Sequence, residues 1–254
     1  MPYSTDLYFH AYNPEDTSRL PLVLIHGAGG DHLHWPVTIR RLSSFRVYAL
    51  DLPGHGKSRG HGLQSIGDYA GRVVEWMNAV KLPRAVLIGH SMGGAIALWM
   101  GIHYPDRVQG LGLVGTGARL PVNENLLEAA AHPSTFPTAV DKIISWAFSK
   151  NTEGKVIELA RERMSEVRPG VLGGDFQACA AYDVREQLDR IRVPALVLCG
   201  KEDRMTPVDL SESLDRSLAE ARLEIIPDAG HMVMIEKPAR TAELLKSFAE
   251  TLKD

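Results

Sequence analysis

The sequence predicts an α/β fold: a mostly parallel central β-sheet of about eight strands flanked by helices, with a helical lid inserted after the sixth strand. Three observations carry this. Short apolar, β-branched runs alternate with helical patterns along the chain, the rhythm of a parallel sheet with crossover helices. The runs are apolar throughout rather than alternating, as strands covered on both faces must be. The rhythm then stops after Leu120 for roughly sixty residues, too long for a single crossover.

Taken in order, Tyr3 to Ala11 and the segment before Pro21 offer antiparallel strands at the start. The core strands are Leu22–Ile25, Val47–Leu50, Ala85–Ile88, Leu111–Val114 and Ala195–Leu198, with Leu223–Ile226 a weaker sixth run. Between them, Ile66, Tyr69, Ala70, Val73, Val74 and Met77 form a stripe at helical spacing, with Ser65 and Asp68 at capping-box spacing ahead of it. Near the end, Leu244, Leu245, Phe248 and Leu252 share a face. In the interruption, Val140, Ile143, Ile144, Ala147 and Phe148 fit one helix, and Val156, Leu159, Ala160, Met164 and Val167 another. Pro133, Pro137, Gly154, Pro169, Gly170, Gly173 and Gly174 read as the joints. The division is therefore a core of residues 1–120 and 189–254 and a helical lid of residues 121–188.

Bulk properties exclude several classes. The chain has 254 residues, 44% apolar and 23% charged, which suits one globular unit with an insertion. The net charge is −3 with no Lys/Arg run, which speaks against a nucleic-acid partner. Apolar stretches fall short of a membrane span, and the N-terminus lacks the basic and apolar regions of a signal peptide. Cys179 and Cys199 lie far apart, and Cys199 ends a buried-strand pattern, so a reduced, cytoplasmic protein is the expectation.

The chemistry begins at Ser91, in Gly89-His90-Ser91-Met92-Gly93 directly after the run Ala85–Ile88. A strand that reverses sharply into a helix strains the residue at the apex, and glycines two positions to each side clear the bend. The hydroxyl then stands over a helix N-terminus, whose free N–H groups suit an oxyanion. A serine hydroxyl needs a base, and the base an orienting acid. Asp203 follows the strand Ala195–Cys199, and His231 follows the strand Leu223–Ile226, so both sit in loops at the carboxyl rim shared with Ser91. Glu202, adjacent to Asp203, is not excluded by spacing. His26, His55 and His90 are rivals to His231, but they read as loop-holding or as badly placed beside the nucleophile. Asp183 and Asp228 read as loop hydrogen-bonders. An oxyanion needs two preorganised N–H donors. These are expected from the backbone of Met92 and of Ala28, the latter in His26-Gly27-Ala28-Gly29-Gly30. A phosphate loop is the competing reading of that segment, but neither GK[ST] nor GxGxxG is present.

HGAGG (26–30), DLPGHGKS (51–58), GHSMGG (89–94), YPDRV (104–108), PALVLCGKEDRMTP (194–207) and PDAGHM (227–232) together resemble the α/β-hydrolase fold in its compact, lid-bearing class. The resemblance implies Ser91 as nucleophile, His231 as general base, Asp203 as its partner, Ala28 and Met92 as oxyanion donors, and no cofactor or metal. It also implies that DLPGHGKS is a structural turn, with Asp51 and His55 holding loops. Serine at position 91 disfavours the family members that open epoxides or displace halide, which carry Asp there. The expectation is a carboxylesterase-like serine hydrolase of small to medium acyl chains, acting on a small-molecule ester as a monomer or homodimer. Trp35, Phe136, Trp146, Phe148 and Phe176 are candidates for an apolar pocket. Lactone, thioester, perhydrolase or carbon–carbon chemistry on the same triad is the alternative. A receptor that uses the cleft without turnover is disfavoured because all three triad residues are present.

Overall fold

The computed structural model describes residues 3–252. Its strands are β1 (Tyr3–Ser4), β2 (Leu7–Tyr12), β3 (Pro21–Ile25), β4 (Arg46–Leu50), β5 (Ala85–His90), β6 (Val108–Val114), β7 (Ala195–Gly200) and β8 (Ala221–Ile226). Seven of them form a mostly parallel sheet in the order β2-β4-β3-β5-β6-β7-β8, and the two-residue β1 pairs with the edge of β2. Only β1 and β2 run antiparallel to their neighbours. The antiparallel strand expected before Pro21 does not form. Asp16 instead accepts hydrogen bonds from Ser18 and Arg19, and Asn13, at φ 53°, donates to the carbonyls of Ser43 and Phe45. Such side-chain bonds favour turns over ladders.

The uniformly apolar strands are explained by what covers them. Along β3, β5 and β7 alternate residues enter two different cores. Val23, Ile25, Leu87 and Val197 pack under α2 (Ile66–Ala79) and α3 (Met92–His103). Leu22, Leu24, Ile88 and Leu198 pack under α1 (Val37–Arg40), α10 (Pro238–Glu250) and helices inserted after β6. Ser65 caps α2 by accepting the Asp68 N–H at 3.3 Å, as its spacing predicts. The helix α8 (Val208–Ser217) joins β7 to β8, and the short α9 (Val233–Glu236) precedes α10. Among the described residues no helix is long and apolar enough to cross a membrane.

Four helices lie between β6 and β7: α4 (Glu124–Ala131), α5 (Phe136–Ala147), α6 (Gly154–Ser165) and α7 (Pro169–Ala180). The two stripes read from the sequence are α5 and α6. The ends of the insertion meet where Arg119 bridges Asp183 and the Val184 N–H donates to the Ala118 carbonyl at 2.8 Å. Pro169 and Gly170 do open α7 at its joint with α6, but Gly173 and Gly174 are not a joint; they lie inside α7. A Cβ on Gly173 would stand 2.9 Å from the Ala131 Cα, and one on Gly174 the same distance from the Leu63 carbonyl oxygen. Glycine is there because α7 is pressed against α4 on one side and a core loop on the other.

The same logic fixes the start of α3. A Cβ on Gly93 would stand 2.2 Å from the Ile25 carbonyl oxygen and 2.6 Å from that of His26. Backbone atoms of a central strand cannot yield. Gly93→Ala is therefore expected to lower stability by roughly 2–4 kcal/mol, read by urea denaturation; an unchanged midpoint would refute this packing.

Candidate active site

Where β5 becomes α3, Ser91 sits at φ 52° and ψ −116°. A non-glycine residue seldom occupies this region, at a cost of about 1–3 kcal/mol. The conformation is held from both sides. The Ser91 N–H donates to the Val114 carbonyl at 2.9 Å, and the Ser91 carbonyl accepts from Thr116 Oγ1 at 2.8 Å and from the Gly94 N–H at 2.9 Å. Met92 is the first residue of α3, so its N–H belongs to the helix end that lacks intrahelical acceptors.

His231 follows β8. Its Nδ1–H donates to Asp203 Oδ2 at 2.9 Å, and both side chains are buried. Asp203 is itself held. Its Oδ1 accepts the N–H groups of Met205 (2.9 Å) and Thr206 (2.8 Å), and its Oδ2 accepts Thr206 Oγ1 at 2.8 Å. Burial opposes charge on Asp203, but the adjacent His231 and the Thr206 donors outweigh it and hold the carboxyl below its ordinary range. With Nδ1 committed, Nε2 is the imidazole nitrogen left to take a proton. The neighbouring Glu202 faces elsewhere, accepting the Lys150 N–H at 3.3 Å.

The rival histidines are each engaged. His26 donates from Nδ1 to the Gly27 carbonyl (2.7 Å) and accepts the Leu52 N–H at Nε2 (3.0 Å), and burial keeps it neutral. His90 donates from Nε2 to the His231 carbonyl at 3.0 Å; its ring packs 4.6 Å from that of His231, and burial also depresses its basicity. Asp183 and Asp228 hydrogen-bond Arg185 and Asn151, as loop residues do.

The glycine-rich loop packs directly on the serine: a Cβ on Gly27 would lie 3.1 Å from the Ser91 Cβ. Ala28 lines the same cavity as Ser91 and His231. The loop is fastened from above by Asp175 of α7, which is fully buried. Asp175 Oδ2 accepts the Gly29 N–H (2.8 Å) and His55 Nε2–H (2.7 Å), and Oδ1 accepts the Tyr69 hydroxyl at 2.5 Å. Burial disfavours the charged His55 ring, but Asp175 outweighs it, so its pKa is raised. The sequence reading passed over Asp175. The available signal was a single acid within Val171-Leu172-Gly173-Gly174-Asp175-Phe176. Asp51, read as a turn-holder, accepts His32 N–H (2.7 Å) and Nδ1–H (2.8 Å) and the Lys57 N–H (2.8 Å). It clusters with Asp31 and His32 in a possible metal-binding arrangement, yet its oxygens are already occupied by the turn they fold.

A cavity of about 670 Å³ opens over Ser91, walled by Ile143, Trp146, Phe148, Leu172 and Phe176. Trp35 and Phe136 do not line it, which corrects their expected pocket role. Trp35 is fully buried with Ile39 and Phe45 beneath the sheet, and Phe136 fills the interior that the inserted helices need for themselves. Cys179 reaches the cavity wall, but burial pushes its thiol pKa up, so it is a poor nucleophile; Cys179 and Cys199 are both free thiols.

A family model described as "Alpha/beta hydrolase family" matches residues 22–244, and the chain belongs to that family. Among its relatives, 3-oxoadipate enol-lactonase 1 of Acinetobacter baylyi is 27% identical, covering 91% of this chain and 89% of the relative. A pimeloyl-[acyl-carrier protein] methyl ester esterase of Vibrio atlanticus is 30% identical over 90% of this chain and 94% of its own. The crystal structure of an enol-lactonase from Burkholderia xenovorans LB400 superposes with a TM-score of 0.90 at 26% identity, covering 96% of each chain.

A raised histidine pKa stabilises the fold fully below the unfolded value, about 6.5, and the contribution is lost as pH rises through the folded value. His55→Gln is therefore expected to lower Tm most at pH 6, the gap to the parent narrowing toward pH 9. A gap that widens with pH would show that His55 is not charged in the fold.

Proposed function

We propose that this protein is a serine hydrolase that cleaves carboxylic esters of small to medium acyl chains through an acyl-enzyme. The observation that carries the reading is the 2.9 Å His231–Asp203 pair lying at the cavity that also exposes the strained Ser91. Its membership in the α/β-hydrolase family and the ester- and lactone-cleaving relatives support it. Lactones are the second reading, favoured by the enol-lactonase likeness over nearly the whole chain.

His231 Nε2 takes the Ser91 proton as Oγ attacks the carbonyl carbon, and the carbonyl π pair moves onto oxygen. The N–H groups of Ala28 and Met92 hold that oxyanion. Its collapse breaks the bond to the alcohol oxygen, which leaves with the proton from His231. Water, deprotonated by the same imidazole, then attacks the acyl-enzyme and returns Ser91. Asp203 keeps the imidazole in the right tautomer and stabilises its charged form. Residues 121–188 act as a cap that supplies apolar walls and excludes water. The volume of about 670 Å³ suits a small ligand.

Incubation with a fluorophosphonate and a panel of p-nitrophenyl esters from acetate to palmitate tests this. Ser91 is expected to be labelled, with kcat highest on the shorter esters. Ser91→Ala is expected to abolish labelling and lower kcat by about 10⁶ with Tm retained, and Asp203→Asn to lower it by about 10⁴. Turnover that survives Ser91→Ala would sink the mechanism, and rates rising steadily to palmitate would sink the acyl-size assignment.

A further inference from the structure

The charge around the cavity is one-sided. Among the described residues that line it there is no Asp and no Glu, but there are two arginines, Arg163 on α6 and Arg204 after β7. Neither guanidinium has an ion pair or a hydrogen bond among the described residues. Their neighbours do. Arg161, on the same helix, pairs with Asp141, and Arg168 donates to the Gly54 and Gly60 carbonyls at 3.0 Å each. Outward-facing arginines of this segment are thus satisfied by the protein, whereas the cavity-facing one is not.

Arg163 also borders the segment that meets the glycine-rich loop. Its neighbour Met164 packs on the glycine-rich loop, with Sδ 3.0 Å from where a Gly29 Cβ would stand. His34 packs on Gly30 of that loop, its Nδ1 2.6 Å from a would-be Cβ. Burial pushes His34 down, Asp31 pulls it up, and Arg163 pushes it further down, so the guanidinium lies within electrostatic reach of the loop. Asp31 is the nearby acid, but it caps the following turn through the Leu33 N–H at 2.6 Å and does not line the cavity. Arg204, by contrast, is exposed. A half-buried cation in an apolar chamber is poorly solvated until an anion joins it. A single planar guanidinium, with no lysine beside it, matches a carboxylate in a two-pronged bond.

We infer that Arg163 is a carboxylate-binding site and that the substrates are esters or lactones carrying a second, free carboxylate, such as half-esters of dicarboxylic acids. This rests on the ester-hydrolase reading and narrows it. The test is the ratio of kcat/KM for mono-p-nitrophenyl glutarate to that for p-nitrophenyl valerate, which differ little beyond the charge. A ratio of about ten or more is expected for the parent, carried mainly by KM and falling with added salt. Arg163→Ala is expected to bring it to about one, Arg163→Lys to restore part, and Arg163→Glu to take it below one. Calorimetric binding of glutarate to Ser91→Ala protein, and its loss in Ser91→Ala/Arg163→Ala, reads the site without turnover. A parent ratio near one, a preference that survives Arg163→Ala, or one lost in Arg204→Ala instead overturns the inference. Valerate turnover with no preference refutes the carboxylate site and leaves the esterase standing. Glutarate binding without hydrolysis of either ester does the reverse.

Discussion

The site depends on one backbone constraint: the chain must leave β5 and enter α3 within a single residue. Ser91 absorbs that turn at positive φ, and the strain persists because the surroundings over-determine it. Val114, the last residue of β6, and Thr116, just after it, grip its N–H and its carbonyl. The glycines before and after it are spaces into which other backbone is already packed. The serine is thus fixed by the sheet, and the proposed partners need only arrive at the same rim. The parallel topology brings them there, since β7 ends beside β6 and β8 beside β7, delivering Asp203 and His231.

Of the three buried acid–imidazole pairs among the described residues, His231–Asp203 and His55–Asp175 differ in surroundings that fit different tasks. His231–Asp203 borders the cavity, with one ring nitrogen left over. In His55–Asp175 both ring nitrogens are spent, one on Asp175 and the other on the Pro53 carbonyl. The second pair cannot move a proton without breaking the loop it holds, so it is structural, whereas the first keeps the free nitrogen that the proposed reaction needs. An imidazole beside a carboxylate is not in itself a catalytic sign; the free nitrogen and the open space are.

Much of this was legible in the sequence wherever the signal is local. An apolar run followed by Gly-His-Ser-Met-Gly, Gly-Lys-Glu-Asp or Ala-Gly-His marks a strand and the rim loop after it, and those segments fold as they read. What was hidden depends on contacts between distant residues. Gly173 and Gly174 have the composition of a joint, and only the nearness of Ala131 and Leu63 makes them the middle of a helix. Trp35 and Phe136 have the chemistry of pocket residues, and which apolar surface an aromatic side chain covers is settled by packing alone. Asp175 needed the sight of His55, Tyr69 and Gly29 converging from more than a hundred residues away.

That convergence alters what kind of module the insertion is. A loop of the sheet domain is completed by an acid that belongs to the inserted helices, so the two parts are not interchangeable components. A shuffled chimera that kept this core and took an insertion with no acid at this place would leave the Gly29 N–H without its acceptor and a buried imidazolium without its counterion. Swaps on this scaffold therefore succeed as matched sets, with the carboxylate and its three donors inherited together, and diversification of the chamber is confined to the inserted surfaces that Asp175 does not anchor.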